Sequence, residues 1–117
     1  GGGALTASRR DFLRAQQIRR ECRYLVDLHG VRHIVMLFHA PTMDGPPAAA
    51  CADYRRKMPW ASVAELRGRQ EQDAEELGRT REDWAGAAAL AMYRCEVDSR
   101  GEIRFADLAG GARSRLG

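Results

Sequence analysis

The chain has 117 residues, 44% hydrophobic and 30% charged, with a net charge of +3. That length suits one domain with a modest core and excludes a deep cleft between domains. Apolar runs such as Ile34 to Phe38 are far too short to cross a bilayer, and three scattered cysteines (Cys22, Cys51, Cys95) argue against a disulfide framework.

Charge is unevenly spread. From Arg9 to Arg32 seven arginines face three acids, whereas from Glu65 to Asp83 seven acids face four arginines. Such asymmetry can mark a nucleic-acid arm, but no recognised motif or interleaved aromatics accompany it, which argues against nucleic acid as a partner. The simpler reading is that basic and acidic faces meet within the domain or between copies, so self-association is expected. The start, GGGALTASRRDF, lacks an apolar signal segment, and its glycines read as a cloning remnant. Residues 1–7 are therefore expected to be flexible, 8–109 to form the domain and 110–117 to be a glycine-rich tail. Cysteine usage and the missing signal segment together predict a cytoplasmic protein.

In chain order, Ser8 to Asp11 approximates a capping box, and Phe12, Ala15, Ile18 and Cys22 recur at helical spacing. Leu25 and Val26 could continue that stripe. Equally, Tyr24, Val26 and Leu28 alternate with Arg23, Leu25 and Asp27 as in a strand. A short helix followed by a hairpin, 23–28 with 31–38 around His29-Gly30, is the favoured reading. The stretch APTMDGPP (40–47) is a loop. Ala48–Met58 and Ala61–Leu77 read as helices, the second capped by Ser62 and stopped by Gly78. Thr80 and Asp83 suggest another capping box. The run WAGAAALAMY, with Trp84, Ala87, Ala88, Ala91 and Met92 at helical spacing, then predicts an alanine-rich helix at the centre of the fold. Asp98-Ser99-Arg100-Gly101 closes a final hairpin, with Val97, Ile103 and Phe105 placed against that helix. The expected fold is α+β: a small helical domain of three to four helices with one N-terminal and one C-terminal β-hairpin.

Little of this carries chemistry. His33 and His39 share a strand face but lie about 20 Å apart at the strand rise, too far for one ion. His29 and His33 have helical spacing but flank Gly30. Neither a CxxC nor a zinc-binding histidine pattern is present, so no metal is expected. Cys95 has no basic helper beside it, phosphate-binding and nucleophile-elbow motifs are missing, and acid pairs such as Glu75-Glu76 read as solvated surface. Neither enzymatic activity nor a cofactor is expected; a catalytic reading would need a pocket gathering His39, Asp44 and Cys95. Trp60 and Trp84 are candidate interface anchors, with core packing the simpler role.

The order SRRDFLRAQQIRRECRYLVDLHGVRHIVML, a helical middle, then AAALAMYRCEVDSRGEIRFADLAG resembles the small tail assembly chaperones of long-tailed bacteriophages and related prophages. The resemblance rests on Asp11, Phe12 and Leu13 at the start, Val26 and Gly30 in the first turn region, and Val97, Asp98, Gly101, Phe105 and Asp107 at the close. Two stretches depart from the pattern: the run from His33 to Phe38 is more apolar than usual, and the loop APTMDGPPAAAC has no counterpart. The resemblance implies a non-enzymatic protein of the bacterial host cytoplasm that coats a helical tape measure protein and recruits tail tube subunits. Phe12 and Leu13 then join Trp60 and Trp84 as interaction candidates. The alternative is a small nucleic-acid-binding or regulatory domain of winged-helix type, with Thr80–Met92 as recognition helix and Arg94, Arg100 and Arg104 on phosphates.

Overall fold

The computed structural model describes residues 12–108, with side chains from residue 15. The elements are α1 (Phe12–His29), β1 (His33–Pro41), a 3-10 turn (Pro47–Ala49), α2 (Ala52–Lys57), α3 (Val63–Arg79), α4 (Arg81–Trp84), β2 (Ala89–Val97) and β3 (Ile103–Asp107). The expected α+β class holds, with helices beside a three-stranded sheet of order β1-β2-β3. The expectations for Ser8, residues 1–7 and residues 110–117 lie outside the described residues.

The helical stripe of α1 continues through Leu25 and Val26, so residues 23–28 are helix and the N-terminal hairpin does not form. The helix ends at His29. Gly30 takes φ +68, a left-handed conformation that glycine adopts without a Cβ clash, and Val31 N–H returns to Leu25 O at 3.2 Å. A strand does follow, over residues 33–41 rather than 31–38, so Ala40 and Pro41 belong to it and not to the expected loop, and its partner lies far along the chain. β1 runs parallel to β2, with His33 opposite Ala89 and Pro41 opposite Val97. A parallel pair needs a long crossover, and α2, α3 and α4 supply it.

The alanine-rich run is therefore the central strand rather than a helix. Only Arg81–Trp84 is helical, and Gly86, at φ +57, breaks the chain before Ala89. Thr80 does not cap this turn; its hydroxyl donates back to Glu76 O at 3.0 Å. Alanine's helix preference is the highest of any residue but small in energy, and in Ala89 and Ala91 it yields to the ladder with β1. Ser62, by contrast, caps as expected: its hydroxyl accepts from Glu65 N–H at 3.1 Å, and Glu65 accepts from Ser62 N–H at 3.0 Å. The helix that follows runs one residue past Gly78, to Arg79. Ala48–Met58 is split between the 3-10 turn and α2.

The core lies on one side of the sheet. Met36, Phe38, Leu90, Met92 and Leu108 meet Tyr54, Leu66, Ala74, Leu77 and Trp84 from the crossover, while Ile18 and Cys22 of α1 pack at the margin beside Ile34. Trp84 is fully buried, and its indole N–H donates to Leu77 O at 3.2 Å.

Candidate protein-interaction face

Strand residues alternate between two sides. On β1 and β2 the core side carries Met36, Phe38 and Ala40 beside Met92, Arg94 and Glu96. Arg94 and Glu96 are charged yet buried, and α3 satisfies them. The Arg94 guanidinium donates from Nε to Gln70 Oε1 at 3.1 Å and from Nη2 to Arg67 O at 3.0 Å. Gln70 in turn donates to His39 O at 2.7 Å. Arg67 donates to Pro41 O at 2.8 Å and to Glu96 Oε1 at 3.2 Å, and Arg104 reaches Glu96 Oε2 at 3.4 Å. Burial and the nearby Arg67 charge lower the Arg94 pKa from its ordinary value, against the opposing pull of Glu71 and Glu96. Nearby, Tyr54 donates to Asp73 Oδ2 at 2.5 Å, and Arg69 holds the other carboxylate oxygen at 3.1 Å. This network rivets α3 to the two parallel strands. Its polar groups answer one another, which is the signature of a structural clamp.

The other side of the sheet is different. Val35 and Leu37 on β1, and Ile103 and Phe105 on β3, stand exposed, at 58%, 36%, 63% and 62% of their full surface. Between them run Tyr93, Cys95 and Val97 of β2, half-buried. The register sets Leu37, Tyr93 and Asp107 in one row and His39, Cys95 and Phe105 in the next. Among the strand residues turned this way, Asp107 alone belongs to the Asp, Glu, Lys and Arg classes. The result is a mostly apolar, partly exposed sheet face, and exposed apolar patches mark sites where other molecules dock.

The closing hairpin shapes this face. Asp98 accepts at Oδ1 from Arg100 N–H (2.8 Å) and Glu102 N–H (2.9 Å), Gly101 N–H bonds Asp98 O at 3.0 Å, and Gly101 sits at φ +81. The DSRG turn thus forms as expected. Val97, Ile103 and Phe105 do share a side, but it is the outward one, because no alanine helix exists for them to cover.

The remaining candidates scatter. Trp60 is 81% exposed in the turn after α2, away from any core role, whereas Trp84 is interior and presents no surface. Phe12 and Leu13 open α1, and their side chains lie outside the described residues. His39 and Cys95 are register partners on the outward face. Asp44 is held elsewhere: Thr42 Oγ1 donates to it at 2.7 Å, and that bond, with help from Ser99 and Arg104, lowers its carboxyl pKa. The recognition helix of the winged-helix alternative is not there, since residues 89–97 are strand, and Arg94 is buried rather than free for phosphate. Burial and the Glu21 charge raise the Cys22 thiol pKa, away from thiolate character. Among the described residues no group of three or more His, Cys, Asp or Glu could hold a metal ion, and no helix is long and apolar enough to cross a membrane. An open polar recess borders α4, lined by Arg79, Arg81, Glu82 and Asp83 with mixed charge.

Apolar outward strand residues were visible in the sequence, but the side they face depends on the β1–β2 pairing, which no local pattern announces. Comparison with family models, with curated proteins and with solved structures returns no match.

Proposed function

We propose that the protein is a non-enzymatic assembly chaperone that shields the apolar stripe of a helical protein with its outward sheet face. The observation that carries this reading is the exposure of Val35, Leu37, Ile103 and Phe105 on one nearly uncharged surface. Parallel strands are ordinarily covered on both sides, and here the outer positions of one side, Val35, Leu37, Ile103 and Phe105, are left open while Ala91 between them is buried. Two nine-residue strands and the five-residue β3 offer a strip about 30 Å long that widens to about 14 Å over the part β3 reaches. One α-helix, about 10 Å across, fills such a strip. The resemblance to phage tail assembly chaperones, in its closing Val97, Asp98, Gly101 and Phe105 motif, points to the tape measure protein as that helix and to tail tube subunits as recruits. The bacterial cytoplasm is where such a complex forms.

The test is co-expression with a helical segment of a phage tape measure protein. The native chain is expected to hold the segment in the soluble fraction and to co-elute with it, while the Phe105→Glu, Val35→Glu double variant, itself folded, does neither. A segment that precipitates equally with native chain and double variant overturns the proposal.

A further inference from the structure

The sheet has two outer strands, and their free edges differ. In β1, Arg32 O accepts from Ala89 N–H, so even-numbered residues turn their backbone groups toward β2; His39 O accepts from Cys51 N–H, so odd-numbered ones turn away. The N–H and C=O of His33, Val35 and Leu37 therefore point outward, and among the described residues nothing bonds them. The same parity in β3 leaves Ile103, Phe105 and Asp107 outward, since Leu108 N–H bonds Met92 O. Proteins guard such edges with charge, proline or bulges. β3 is guarded by Arg104 and Asp107 within five residues, whereas β1 carries no Lys, Arg, Asp or Glu and has a proline only at its end. Val35 and Leu37 on the open edge are apolar and exposed.

We propose that the open edge of β1 pairs antiparallel with the same edge of a second copy, about a two-fold axis at Val35. Val35 then lies opposite the second copy's Val35, and His33 opposite the second copy's Leu37. Each such pair exchanges two N–H···O=C bonds, about six in all. The occupant is a second copy because the edge complements itself: Val35 meets Val35, each Leu37 meets a His33, and no Asp, Glu, Lys or Arg on either strand brings like charges together across the axis. The two-fold also closes. It consumes both open edges and leaves only charged β3 edges, so assembly stops at two copies. The surface covered by one strand pairing falls below the roughly 800 Å² per partner of a standard stable interface, so the pair is weak and concentration-dependent. This inference uses the edge rather than the face and stands apart from the function proposed above. If both hold, the dimer presents a face twice as wide.

Sedimentation velocity from micromolar to millimolar chain, at low and high salt, tests it. The native chain is expected to reach a dimer limit reversibly and to keep it at high salt. Val35→Lys and Val35→Glu, each exposed in the monomer, should pair about tenfold more weakly, because like charges then face each other across the axis. An equimolar mixture of the two variants should restore pairing. Hydrogen exchange on the native chain reads the same edge without any substitution: the Val35 and Leu37 amides should gain protection as concentration rises. A monomer throughout, undiminished pairing by Val35→Lys, growth beyond two copies, or unchanged amide exchange overturns the proposal. So does a dimer that salt dissociates, since that would place the contact on the basic and acidic helices.

Discussion

The two sides of the sheet share the same strands and the same alternation, yet they are built on opposite terms. On the core side even the charged residues Arg94 and Glu96 are enclosed and answered by Arg67, Gln70 and Arg104. On the outward side even the apolar residues Ile103 and Phe105 are left in water. The contrast separates two roles within one strand. In β2, Arg94 belongs to the clamp that makes the fold, and its neighbour Cys95 belongs to the surface that can be used.

Substitutions on each side should break or sharpen that contrast. Arg94→Met is expected to have the largest effect. It leaves Glu96 with a buried charge short of a partner and Gln70 with an unanswered oxygen, a loss of about 3 kcal/mol in denaturant unfolding. Tyr54→Phe removes one bond to the buried Asp73 and should cost about 1.5 kcal/mol by the same measurement. Ser62→Ala strips the cap from α3 and should cost about 1 kcal/mol. The Ser62 bonds also hold the Glu65 carboxyl below its ordinary pKa. The stability linked to that shift is present above the ordinary carboxyl value and is lost as pH falls through the lowered one. An NMR titration of Glu65 should therefore show a midpoint below the usual range in the native chain, moving up toward it in Ser62→Ala. On the outward side, Phe105→Ser should shift unfolding by less than about 0.5 kcal/mol, since its side chain gives up little burial. A large destabilisation from Phe105→Ser would mean that the face is part of the core after all.

What the sequence made legible were the features decided within a few residues. The Ser62 cap, the apolar β1 run and the DSRG turn all rest on local chemistry, and they appear at or within a few residues of where that chemistry puts them. The misreadings share one origin, a partner distant in sequence. Residues 23–28 alternate well enough for a strand, but with no neighbouring strand to bond them they complete α1. Ala89 to Met92 have helical composition and become a strand because β1, some fifty positions earlier, offers a ladder. Arg94 and Glu96 are residue types that ordinarily stay at the surface, and only the placement of α3 over the sheet encloses them. The same non-local pairing decides the candidate site. The apolar strand residues could be named from the sequence, but not that Val35, Leu37, Ile103 and Phe105 stand exposed on one face.

The parallel pairing of β1 with β2 also governs the order of events during synthesis. β1 leaves the ribosome before β2, its ladder partner among the described residues, which emerges after the whole crossover from Thr42 to Ala88 has been translated. Until then a nine-residue strand with a single proline and no Asp, Glu, Lys or Arg waits without its mate. Non-local strand pairing is slow, and such intermediates are prone to aggregate. Yield of the native protein should therefore respond to translation speed across the crossover and to chaperones that hold nascent chains.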